Sequence, residues 1–167
     1  MNRNTKTIVS IASIIIIFFV ISLIVYFIGS PIAKSVILKA GGINYSEWIK
    51  HYSGLVRVMG ILSCLLTLLW YILTRFVIKI VYPTIVGRRS LWCLIGIINI
   101  FLCIIVPFIY SIIDSKSPMS FAICLLFIIF FGIIGYYVCS VLFTPANYKY
   151  TPIGAMKIRK MKGGITK

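Results

Sequence analysis

Four stretches free of charge, at 7–33, 58–74, 90–113 and 117–148, alternate along the chain with segments that carry lysine, arginine, glycine and proline. Crossing a bilayer takes about 20 mainly apolar residues in a helix, because lipid offers no partners for backbone N–H and C=O groups. Each stretch meets or approaches that length. The pattern therefore predicts an all-α chain, an integral membrane four-helix bundle forming one membrane domain over 1–167, with spans at about 8–29, 57–80, 91–113 and 119–143. The segment 30–54 is left as the first loop and 144–167 as a basic tail.

The punctuation between the runs supports these bounds. Pro31 and Gly41-Gly42 read as breakers on either side of a short surface helix over 45–52, whose Tyr45, Trp48 and Tyr52 suit a membrane interface. Arg75 and Lys79 extend the second span by reaching toward headgroups along their apolar stems, and Pro83 and Gly87 follow it. The turn 114–118 is only long enough to link two antiparallel helices. Thr144-Pro145 ends the fourth span, since proline lacks the N–H a helix needs. The first run is longer than the 7–15 apolar residues of a secretory signal and lacks a small-residue cleavage site, so it reads as an uncleaved helix.

Within the spans the small and polar residues recur at steps of three and four, which places them on one face of each helix. In the third span these are Gly96, Asn99, Cys103, Pro107 and Tyr110; in the second Gly60, Ser63, Thr67, Tyr71 and Thr74; in the fourth Cys124, Gly132, Gly135 and Cys139. Lipid gives helices no hydrophobic reason to associate, so close packing of small residues and interhelical hydrogen bonds must do it. Gly96, Asn99, Cys103, Pro107, Gly132 and Gly135 are the candidate intramembrane contact face. The ordinary role for Asn99 is a bond between helices; the functional alternative is contact with a solute or a partner.

Charge sets the expected orientation. The chain holds 17 Lys and Arg against two acids, Glu47 and Asp114, a net +15. Two positives precede the first span, four lie between spans two and three and six in the tail; the opposite side holds five, with both acids. The excess of positive charge marks the cytoplasmic side, so both termini are expected there. The cytoplasmic basic cluster comprises Arg75, Lys79, Arg88, Arg89, Lys157, Arg159, Lys160 and Lys162. These positives set topology and meet anionic lipid; nucleic acid is not expected as a direct ligand.

No residue pattern names a reaction. The five cysteines, Cys64, Cys93, Cys103, Cys124 and Cys139, all fall inside spans without metal-ligand spacing and read as packing residues. Glu47 and His51 stand at i and i+4, but two ligands do not make a metal site. Asn44-Tyr45-Ser46 matches a glycosylation acceptor, relevant only in a eukaryotic secretory compartment. No phosphate loop, paired carboxylate or nucleophile motif is present, and no intramembrane carboxylate of the kind coupled transporters use. The chain is thus expected to be non-enzymatic, without cofactor or metal.

In this plan, and in the step Leu142-Phe143-Thr144-Pro145 closing the last span before a basic tail, the chain resembles the four-helix inner-membrane immunity proteins against pore-forming colicins. It is similar in size and hydropathy to phage superinfection-exclusion and plasmid entry-exclusion proteins. The resemblance implies a multi-pass protein of the inner membrane that blocks an incoming toxin, or phage or conjugal DNA entry, by helix contact in the membrane. Its partners would be the bilayer, a membrane protein or a toxin or phage protein, and further copies of the chain. The alternatives are a small channel or transporter and a structural subunit of a membrane complex.

Overall fold

A computed structural model describes residues 3–40, 44–77, 84–113, 121–144 and 152–153. Helix α1 (Arg3–Ala40) is followed by α2 (Tyr45–Ile72), which runs on through a π-helical turn, Leu73–Val77. Then comes α3 (Ile85–Ile113). The fourth helical run joins α4 (Phe121–Phe127), a π-helical stretch Ile128–Val138 and α5 (Cys139–Phe143). Among the described residues there is no strand. Among the described residues four helices are long and apolar enough to cross a membrane: Thr5–Ile32, Tyr45–Phe76, Val86–Ile112 and Ile123–Phe143.

The helix bounds differ from the expectation in the first loop. Pro31 does not break α1, which continues to Ala40. Its missing N–H would have bonded the Phe27 carbonyl, and there the Ser30 hydroxyl donates instead, at 3.4 Å; a neighbouring serine can meet a carbonyl that a membrane-helix proline leaves open. The segment 45–52 is not a separate surface helix but the first two turns of α2. Asn44 caps it, its side-chain oxygen accepting from the Ser46 backbone N–H at 3.1 Å and from the Ser46 hydroxyl at 2.9 Å. Helix α3 likewise begins six residues before 91. Thr84 caps it, its hydroxyl accepting from the Gly87 N–H at 3.2 Å.

Helix α2 and the fourth run are the central pair. Each packs on all the other helices, and between them they separate α1 from α3. From α1 the buried apolar side chains among the described residues are Ile14, Phe18, Ile21 and Val25, spaced four, three and four apart along one face. They join Trp48, Tyr52, Leu55 and Met59 of α2 and Phe127 and Phe131 of the fourth run in the larger core. A smaller core of Trp70, Trp92, Ile95 and Tyr136 fills the end where α2 finishes and α3 begins. The opposite faces carry exposed Ile16, Phe19, Ile61, Leu65, Phe101 and Phe108, the exterior that suits contact with lipid.

Candidate functional site

Asn99 stands at the middle of the span Val86–Ile112 and is fully buried. Its amide oxygen accepts from the Ser63 hydroxyl of α2 at 2.8 Å, and its amide nitrogen donates to the Phe131 carbonyl at 3.2 Å. One side chain thus links α2, α3 and the π-helical part of the fourth run. Thr67 extends the cluster along α2, donating to the Ser63 carbonyl at 2.8 Å. Such bonds in membranes contribute about 0.6–2 kcal/mol each, and here two converge on one residue.

The rest of the expected contact face lies in the same seam. Cys103 and Pro107 are buried on α3 below Asn99, Gly132 and Gly135 are buried on the fourth run, and Gly96 is half-buried. These glycines hold neighbours close. A Cβ added at Gly135 would lie 2.8 Å from Phe18 Cε1 and 3.2 Å from the Phe130 carbonyl oxygen; one at Gly96 would lie 2.9 Å from Tyr136 Cε1, and one at Gly132 3.2 Å from Ile100 Cγ1. Gly135 therefore seats α1, Gly96 seats Tyr136 and Gly132 meets α3. The whole second-span stripe, Gly60, Ser63, Thr67, Tyr71 and Thr74, is buried as well. All six contact-face residues thus pack against other helices of the same bundle, and their stripe is its internal seam.

Sequence reasoning missed the aromatic ties at the two ends. At one, the Trp92 indole donates to the Ser140 hydroxyl at 2.9 Å, and the Tyr136 hydroxyl donates to the Trp92 carbonyl at 2.7 Å. Beside them Trp70 donates to the Thr144 hydroxyl at 3.2 Å, while Thr144 donates to the Ser140 carbonyl. The Tyr137 hydroxyl reaches the Ile153 carbonyl at 2.7 Å, which fixes the start of the tail against the fourth run. At the other end Tyr52 donates to the Val25 carbonyl at 2.8 Å and stacks with Trp48 and Phe127. Gly29 makes this reach feasible, since the Tyr52 hydroxyl occupies the place a Cβ there would take. The signal was present only as aromatic residues near span ends, where interfacial residues look the same.

The basic cluster is only partly within the described residues. Arg75 lies half-buried in the π-helical turn after α2, and Arg88 and Arg89 occupy the first turn of α3, half-buried and exposed. Lys79, Lys157, Arg159, Lys160 and Lys162 lie outside the described residues. His51, considered with Glu47 as a ligand pair, packs edge-on against Tyr110 with ring centres 6.5 Å apart. Among the described residues no three His, Cys, Asp or Glu converge as a metal site would require.

No known protein-family model, characterised protein or solved structure matches the chain.

Proposed function

We propose that this is a non-enzymatic protection protein of the inner membrane, which blocks a pore-forming toxin, or phage or conjugal DNA entry, by helix contact within the bilayer. The reading rests on the closure of Asn99. Both ends of its amide are bonded inside the bundle, to Ser63 and Phe131, so the polar centre serves rigidity rather than passage of a solute. A rigid bundle with an apolar exterior recognises other membrane helices by shape and by a few polar groups at its edges. In the proposed orientation both termini are cytoplasmic, and Arg75, Lys79, Arg88, Arg89 and the tail lysines lie against anionic lipid on that side.

Expression in sensitive cells tests this directly. The chain should protect against one member of a panel of pore-forming toxins, phages and conjugating plasmids while receptor binding stays normal. Unchanged survival across the panel would sink the proposal. Flux through reconstituted vesicles that disappears in Asn99→Leu would favour a transporter in its place.

A further inference from the structure

A groove of about 640 Å³ runs between α1 and α2. Ser22, Gly60 and Cys64 are the small residues along it, and Phe19, Leu23, Ile61 and Leu65 are among its larger ones. Tyr26, Ser53 and Arg57 stand together at one end. Arg57 is exposed, and its guanidinium turns toward the start of α2, donating to the Ser53 carbonyl at 3.2 Å and to the Ser53 hydroxyl at 3.4 Å.

The depth of this arginine makes it unusual. It stands six residues before Ser63, the partner of Asn99 at mid-span, so its Cα lies about 9 Å from the membrane centre at 1.5 Å per residue. The hydrocarbon core extends about 15 Å from that centre. By turning one helical turn outward to Ser53, the guanidinium gains about 6 Å and reaches the headgroup boundary. Among the described residues no acid pairs with it, the only one being Glu47, ten residues away along α2. An exposed cation at that depth requires an anion or water.

We infer that the groove between α1 and α2 holds one anionic phospholipid, its phosphate on Arg57 and an acyl chain lying along Gly60 and Cys64. From the guanidinium at the headgroup boundary to Cys64, one residue past the level of Ser63, is about 16 Å, close to the 15 Å or so that a single leaflet's chains fill. The guanidinium presents paired N–H donors to phosphate, and Ser53 holds it in place.

Native mass spectrometry of the full chain in detergent, titrated with phosphatidylglycerol, tests the assignment. One lipid should be retained per chain. Arg57→Gln should weaken retention about tenfold and Leu65→Trp, which fills the groove from its exposed rim, should abolish it. Lys6→Gln, an exposed cation at the far end of α1, should leave it unchanged, and all three variants should keep the wild-type helical spectrum. Equal retention in Arg57→Gln and wild type, or in Leu65→Trp and wild type, would overturn it. A photoreactive side chain at Ile61 in intact cells should label lipid; labelling of a polypeptide, whether a second copy or another protein, would overturn the assignment equally.

Discussion

The Ser63 hydroxyl and the Asn99 amide oxygen meet 2.8 Å apart at the centre of the bundle, and the same amide donates across to the Phe131 carbonyl. Three helices are therefore tied at one level, in the part of the membrane where water is scarcest. Loss of the amide removes two bonds, whereas loss of the hydroxyl removes one. Asn99→Leu should lower stability by about 1–2 kcal/mol and Ser63→Ala by about 0.6 kcal/mol. Asn99→Asp should be worst, because a carboxylate cannot donate to the Phe131 carbonyl and places an unpaired charge at mid-span. Unfolding in mixed detergent micelles gives the order; equal loss in Asn99→Leu and Ser63→Ala would contradict the two-bond arrangement.

The tryptophans separate into bonded and unbonded. Trp92 and Trp70 donate to Ser140 and Thr144. Trp48 is just as buried, yet its indole N–H has no partner among the described residues. A buried donor left unbonded is a penalty of about 1–3 kcal/mol. Trp48→Phe keeps an aromatic ring beside Tyr52 and deletes that donor, so it should be neutral or stabilising. Trp92→Phe removes a bond, leaving the Ser140 hydroxyl only its own donation to the Tyr137 carbonyl at 2.9 Å, and should lose about 1 kcal/mol. Thermal melting of the two variants side by side distinguishes them.

The four spans were legible because runs of about 20 uncharged residues have one reading. The buried faces of α2 and α3 were legible for a different reason: Ser63, Thr67 and Asn99 contrast with apolar neighbours. Helix α1 offered no contrast. Its buried Ile14, Phe18 and Ile21 sit among Ile15, Ile16, Phe19 and Val20, equally apolar and exposed, so periodicity could not choose a face. Pro31 misled because a proline's effect depends on what meets the freed carbonyl, here Ser30. The π-helical stretch Ile128–Val138 has no sequence signature comparable to a cap. The groove beside Arg57 depends on how α1 and α2 pack together, and from sequence Arg57 counted only as a charge.

Gly135 gives a test of how closely α1 approaches the fourth run. A methyl there would press on the Phe18 ring at 2.8 Å and on the Phe130 carbonyl at 3.2 Å. Gly135→Ala should therefore destabilise by about 1–3 kcal/mol, the range for overpacking a close-packed core. Phe18→Leu in the same chain should restore part of the loss, since only the ring contact can be relieved. Gly54→Ala is the contrasting case: its added methyl meets only the Tyr110 hydroxyl, at 3.3 Å. Helix propensity favours alanine there by up to about 1 kcal/mol, so this variant should melt at or above wild type.

The proposed orientation follows from twelve positive residues on one side against five on the other, a bias that short loops impose during insertion. A phosphatase fused after Gly42 should be active and one fused after Lys167 inactive, with a fluorescent protein at Lys167 giving the reverse. Charge is the cause in this argument, so changing it should change the outcome. Replacing Arg75, Lys79, Arg88 and Arg89 with glutamine leaves the segment between spans two and three without a positive charge, while Lys34, Lys39, Lys50 and Arg57 remain at the opposite ends of spans one and two. The helical hairpin of spans two and three should then insert in mixed orientations, seen as phosphatase activity gained at a fusion after Gly87. A periplasmic signal from Lys167 in the unaltered chain would overturn the orientation, and with it the placement of the basic tail against cytoplasmic lipid.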